Sequence, residues 1–199
     1  MKIGTKSLLF GTHQFLLHPL FVLWGWVKLY GWPKDWRIYI AILVHDWGYW
    51  GKADMDGLEG RLHPLLGAAI MERLFDRDLD SNESGMMAVK RRWYYFTVCH
   101  SRFYAQQHSM LPSRLCWADK LGFTLYPEWL YLLLARLSGE LWEYMTDGKW
   151  AERWPWPPTG WELRMIQSGW PLGWLRGIKA YTRRLVEQNK DKAGADNKL

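Results

Sequence analysis

Seven consecutive apolar residues, Ile38 to Val44, run directly into an imidazole and a carboxylate, His45 and Asp46. This junction constrains the fold more than any other stretch of the chain. A buried carboxylate is strongly destabilising unless it is paired, hydrogen-bonded or bound to a metal. The chain must either bring the pair to its surface as a cap on the run, or gather something cationic around it.

At 199 residues the chain is long enough for one domain that buries most of its unfolded surface. Its 16 tryptophans call for a heavily aromatic core or a cleft walled by rings. Of the formal charge of +6, a share of +4 lies in 176–199, where seven Lys or Arg face three Asp or Glu. A body near +2 is too weakly biased to form a nucleic-acid groove, while anionic small molecules remain open as ligands. Cys99 and Cys116 lack C-x-x-C spacing and are read as reduced thiols in a cytoplasmic compartment. The N-terminal stretch SLLFGTHQFLLHPLFVLWGWVKLYG is interrupted by His13, Gln14, His18 and Pro19. It therefore holds no clean span of about 20 apolar residues and no continuous secretory core.

Periodicity and punctuation point to an all-α chain. A buried helix is expected over 13–30, stopped near Gly31 and Pro33. The segment 36–44 suits a buried strand or a helix; no strand-helix-strand repeat surrounds it, which favours a helix stopped at Gly48. Residues 51–62 hold three glycines and read as a loop, and Pro64 then opens a helix with Leu65, Leu66, Ala69, Ile70 and Leu74 on its apolar face. After a polar connection, 76–85, a basic aromatic helix spans 86–99, and a loop follows to Pro112. Ser113 caps the next helix and Pro127 opens another, through Leu141 and Tyr144. The Trp/Pro-rich segment 149–161 reads as an ordered flap, 175–188 as a basic helix, and 189–199 as a disordered polar tail. The expected organisation is one domain over 1–188, with its chemistry in 13–125 and the C-terminal helices and flap in 126–188.

The six histidines are His13, His18, His45, His63, His100 and His108, and Asp119 stands inside the otherwise apolar LCWADKLGF. Several imidazoles and two carboxylates in aromatic surroundings form a donor set for Zn, Fe, Mn, Co or Ni. Duller roles exist for some of them. His63 before Pro64 suits a helix start, His13 suits a satisfied core histidine, and His108 suits a loop. Arg91 and Arg92, with Lys90, suit a solvated face.

The order of these residues resembles the HD-domain metal-dependent phosphohydrolases. HPLFV supplies a first histidine, His18, with His13 as its competitor; VHDWG supplies the pair His45–Asp46, and ADKLG the distant Asp119. The two-metal branch of that family has two more histidines between the pair and the last aspartate, matched by His63 in RLHPLLGAA and His100 in VCHSRF. The family's HDxGK lysine is absent, since Tyr49 stands there and Lys52 follows three residues later. The GYP signature of the cyclic-dinucleotide phosphodiesterases is also missing.

The resemblance implies an all-α HD-type bundle holding one or two divalent ions, with Mg added to the metals above. It implies that Asp46 bridges, with His18, His45 and Asp119 on one side and His63 and His100 on the other. The implied activity is hydrolysis of a phosphate ester or anhydride, most readily of a nucleotide, by a metal-activated water. Catalytic roles fall to Asp46 and Lys52, and substrate contacts to Arg102, Lys120 and His13. Trp47, Trp50, Phe103 and Tyr104 are candidates to stack on a base. Two other readings stand beside this one: a non-catalytic HD module sensing a nucleotide or partner, and a peripheral membrane protein using its tryptophans and basic tail.

Overall fold

The computed structural model describes residues 1–76, 91–146, 157–192 and 194. Among these there is no strand, and the α-helices are α1 (Ile3–Phe10), α2 (Leu17–Tyr30), α3 (Arg37–Val44), α4 (Pro64–Phe75), α5 (Arg92–Val98), α6 (Arg102–Gln107), α7 (Arg114–Leu125), α8 (Glu128–Ser138), α9 (Glu140–Thr146), α10 (Gly160–Ile166) and α11 (Pro171–Asn189). The all-α expectation holds. None of these helices is long and apolar enough to cross a membrane.

Two buried clusters organise the packing. In the first, Val22 and Trp26 of α2 meet Ile38, Ala41 and Ile42 of α3, Met71 of α4, Trp93 and Phe96 of α5, and Leu115 and Ala118 of α7. The second joins Tyr131, Leu134 and Ala135 of α8 to Leu141, Ile166, Trp174 and Leu175 of the helices that follow. Leu17 and Phe21 of α2 and Phe123 of α7 pack against this second cluster too, so the α2–α7 pair joins the two.

That pair is drawn close by missing side chains. A Cβ on Gly25 would lie 2.8 Å from the Gly122 backbone nitrogen, and one on Gly122 would lie 2.9 Å from the Val22 Cα. Only glycine permits so near an approach. His18 precedes Gly25 by seven residues and Asp119 precedes Gly122 by three, so each shares a helical face with the contact that brings the two helices together.

The ambiguous segment 36–44 is a helix, but it ends at Val44, and a separate 3-10 turn covers Trp47–Tyr49. α2 starts at Leu17 rather than residue 13, and α1 precedes it, a helix that the Gly- and Thr-containing sequence did not announce. Pro64 does open α4, and Ile70 of its expected apolar face packs against the first cluster, but most of that face points outward. Pro64, Gly67, Ala68 and Met71 are buried, while Leu65, Leu66 and Leu74 are exposed. α4 lies so near α3 that a Cβ on Gly67 would stand 2.9 Å from the His45 Cα, and small residues therefore face inward.

The expected loop before Pro112 contains α6, which has a true cap: the Ser101 hydroxyl accepts from the Tyr104 amide. Ser113 occupies the cap position of α7, but its hydroxyl makes no capping bond. The helix expected from Pro127 through Tyr144 is broken at Gly139, whose φ of 91° is left-handed. α11 begins at Pro171, four residues earlier than expected. The expectations for 77–85, for the start of the helix at 86–90, for 149–156 of the flap and for 193 and 195–199 of the tail lie outside the described residues.

Candidate metal centre

Asp46 follows α3 at the point where a continuing apolar helix would enter the core, and it is only 6% exposed. Its two oxygens face different partners. Oδ2 lies 3.1 Å from His18 Nε2 and 3.2 Å from His45 Nε2. Oδ1 lies 3.3 Å from His100 Nε2 and 3.5 Å from His63 Nε2. Asp119 Oδ1 adds to the first group, 3.2 Å from His18 Nε2 and 4.0 Å from His45 Nε2. The six residues thus form two donor sets compact enough to hold a metal ion, and they share Asp46.

The opposite edge of three rings fixes what faces inward. His45 Nδ1 is 2.8 Å from the Ile42 carbonyl, His63 Nδ1 is 2.7 Å from that of Gly60, and His100 Nδ1 is 2.6 Å from that of Thr97. Each ring contacts the carbonyl three residues before it. A carbonyl only accepts, so these Nδ1 atoms carry the protons, and in a neutral ring Nε2 is then a lone pair. Tyr49 further pins His63, stacked at 4.0 Å and 10°.

At His63 and His100, lone pair therefore meets lone pair. His63 Nε2 and His100 Nε2 are 3.0 Å apart, and His18 Nε2 and His45 Nε2 are 3.3 Å apart. Two nitrogens each about 2.1 Å from one ion, at right angles, would be about 3.0 Å apart. With both Nδ1 protons spent on carbonyls, neutral His63 and His100 have no proton to place between their Nε2 atoms. Burial pushes His63 down to about 3, the Asp46 charge notwithstanding, and burial pushes His100 down as well. For His18 and His45 burial also works against charge, but the carboxylates outweigh it and raise both. Burial alone would raise Asp46, yet the imidazoles around it, His45 foremost, hold it well below the usual carboxylate range. An ionised carboxylate ringed by four imidazole nitrogens, three of the rings backed by a hydrogen bond to a carbonyl, is the donor chemistry of a transition-metal or zinc site. The residues present fit such an ion.

The centre opens on a cleft of about 570 Å³. Of the residues expected to touch substrate, Arg102, Lys120 and His13 line it, as does Phe103. Arg102 Nη1 is buried without a hydrogen-bond partner among the described residues. Lys120 Nζ is 3.4 Å from Asp119 Oδ2; burial disfavours its charge, but Asp119 prevails and raises it. His13 Nδ1 lies 2.9 Å from the buried carboxylate of Glu140. Lys52 is not brought to the cleft: its backbone bridges Gly4 and Tyr49. Nor do Trp47, Trp50 and Tyr104 line it; Trp47 and Trp50 pack with Phe15, and Tyr104 stacks on His108. Arg91 pairs with Glu72 at the surface, its side chain 41% exposed.

Sequence reasoning missed Glu140 and the whole α11 wall. Trp174, Ile178, Tyr181 and Leu185 all line the cleft, and their spacing of four, three and four was a helical-face signal open to reading. Neither cysteine is in a disulfide. Comparison with protein-family models, with curated proteins and with solved structures finds no match to this chain.

Proposed function

We propose that this chain is a metal-dependent phosphohydrolase that cleaves a phosphate ester or anhydride, with nucleotides as the leading substrates. One observation carries the reading: four imidazole nitrogens surround both oxygens of a buried aspartate, at the floor of a cleft that also holds Arg102 and Lys120. His18, His45, Asp46 and Asp119 would hold one divalent ion, and Asp46, His63 and His100 a second. Such ions, when bound, bring water to ionise near neutral pH and polarise a phosphoryl oxygen.

The chain's own groups supply the rest. Arg102 offers a buried, unpaired guanidinium nitrogen to a phosphate oxygen and so neutralises charge that grows in the transition state. Lys120 holds Asp119 from its far oxygen and adds a second positive charge to the same wall. His13, anchored through Nδ1 by Glu140, leaves its Nε2 edge for the cleft. Three carbonyls keep the His45, His63 and His100 rings from turning away. The ordering of these residues in the chain, similar to the two-metal HD phosphohydrolases, supports the same reading.

The test is phosphate release from nucleoside mono-, di- and triphosphates with Mn, Mg, Co or Fe. Release is expected with at least one pair of substrate and metal, abolished in Asp46→Ala and reduced about 100-fold in Arg102→Ala. A protein that binds metal stoichiometrically and turns over nothing in the panel is a sensing module instead.

A further inference from the structure

Seven buried side-chain polar atoms lack a hydrogen-bond partner among the described residues, and two of them, Arg102 Nη1 and Trp174 Nε1, belong to residues that line the cleft. An unmet buried donor costs about 1–3 kcal/mol, and buried indole N–H groups ordinarily find an acceptor. The two donors ask for different things. A guanidinium suits an anion, whereas an indole N–H suits a neutral acceptor such as a ring nitrogen or carbonyl.

The surroundings of Trp174 agree. The residue is 4% exposed, and with Ile178 and Leu185 it forms an apolar strip along the face of α11 turned to the cleft. The Tyr144 ring lies parallel to its indole, 6.4 Å away and tilted by 11°. Flat rings with apolar neighbours and one donor are a site for a flat, acceptor-bearing ligand. Inorganic phosphate or a sugar phosphate would leave that donor unmet.

We infer that the α11 face is the subsite for the organic group of the substrate, a nucleobase or similar heteroaromatic ring, and that Trp174 determines specificity by donating its Nε1–H to that ring. The inference rests on the phosphohydrolase reading and narrows its substrate class: the phosphate ester or anhydride must carry a flat heteroaromatic group.

The full-length protein loaded with zinc is titrated calorimetrically with ribose 5-phosphate and with AMP, GMP, CMP and UMP. The best nucleotide should bind at least ten-fold more tightly than ribose 5-phosphate. Trp174→Phe, which keeps a ring and removes the N–H, should weaken that nucleotide about five- to ten-fold and leave ribose 5-phosphate unchanged. The Trp174 indole N–H resonance, assigned in the wild-type protein by through-space contacts with its neighbours such as Tyr144, should move on adding the nucleotide and stay in place with ribose 5-phosphate, a readout that needs no variant to fold. Equal affinity for all five probes, a variant that weakens them alike, or an indole resonance that ignores the nucleotide overturns the inference. The dependence of ribose 5-phosphate binding on zinc reports on the metal centre alone, so the two readings fail separately.

Discussion

Two buried carboxylates, Asp46 and Glu140, meet very different company. Glu140 is fully buried and surrounded by donors: the Ser7, Thr12 and Ser138 hydroxyls, the Thr12 amide and His13 Nδ1. Burial alone would raise it, but His13 and the hydroxyls hold it below the usual range. Its charge is satisfied within the chain. Asp46 is nearly as buried, but three of the four imidazoles around it already use their Nδ1 protons on backbone carbonyls. The same cost of burying a carboxylate is met internally at Glu140, and on the proposed reading by a bound cation at Asp46. A neighbour's residue type matters less than where its proton already goes.

The contrast breaks most visibly at Glu140. Glu140→Ala strands five donors and should cost about 3 kcal/mol, a fall of roughly 6–12 °C in thermal midpoint, with metal content unchanged. Calorimetric unfolding together with elemental analysis checks both halves. Metal loss in this variant would mean that the two carboxylates form one site.

Chelation should act on the other carboxylate. Removing an ion present at about 100 times its dissociation constant withdraws about 2.7 kcal/mol, or roughly 5–10 °C. Asp46→Asn, already without the ion, should show no further fall with chelator. A wild-type midpoint indifferent to chelator would equate Asp46 with Glu140.

The smallest effect is in pH. In the metal-free protein His63 is held near 3, while the unfolded chain takes up its proton near 6.5. Between those values the unfolded state holds a proton that the folded state lacks, so stability falls as pH drops from 6.5 toward 3. His63→Gln should flatten that slope by up to about 1.4 kcal/mol per pH unit, as read from urea unfolding at several pH values. Glu140 behaves oppositely in range: its contribution is present above its ordinary 4.5 and is lost only as pH falls through its lower folded value. An unaltered slope in His63→Gln would show that the ring is not held neutral.

The contrast also explains what could be read in the chain. Asp46 declared itself because an apolar run delivers it into the core, and Asp119 because Trp117, Ala118 and Leu121 crowd it. Glu140 looks like an ordinary acidic residue in the first turn of a helix. Its meaning depends on Ser7 and Thr12, more than 125 residues away, which no local pattern links to it. The α4 face was misread for a related reason: burial there follows a close backbone approach at Gly67, and leucine count pointed to the wrong side. Lys52 sat near the ligands in sequence, but the chain turns its segment toward α1 instead.

The most direct test is anomalous diffraction from crystals grown with manganese or zinc. A peak is expected about 2.0–2.3 Å from an Asp46 oxygen and from the Nε2 atoms of His18 and His45, or of His63 and His100. Density that places no ion against Asp46, in crystals where the metal is bound elsewhere, would contradict the account.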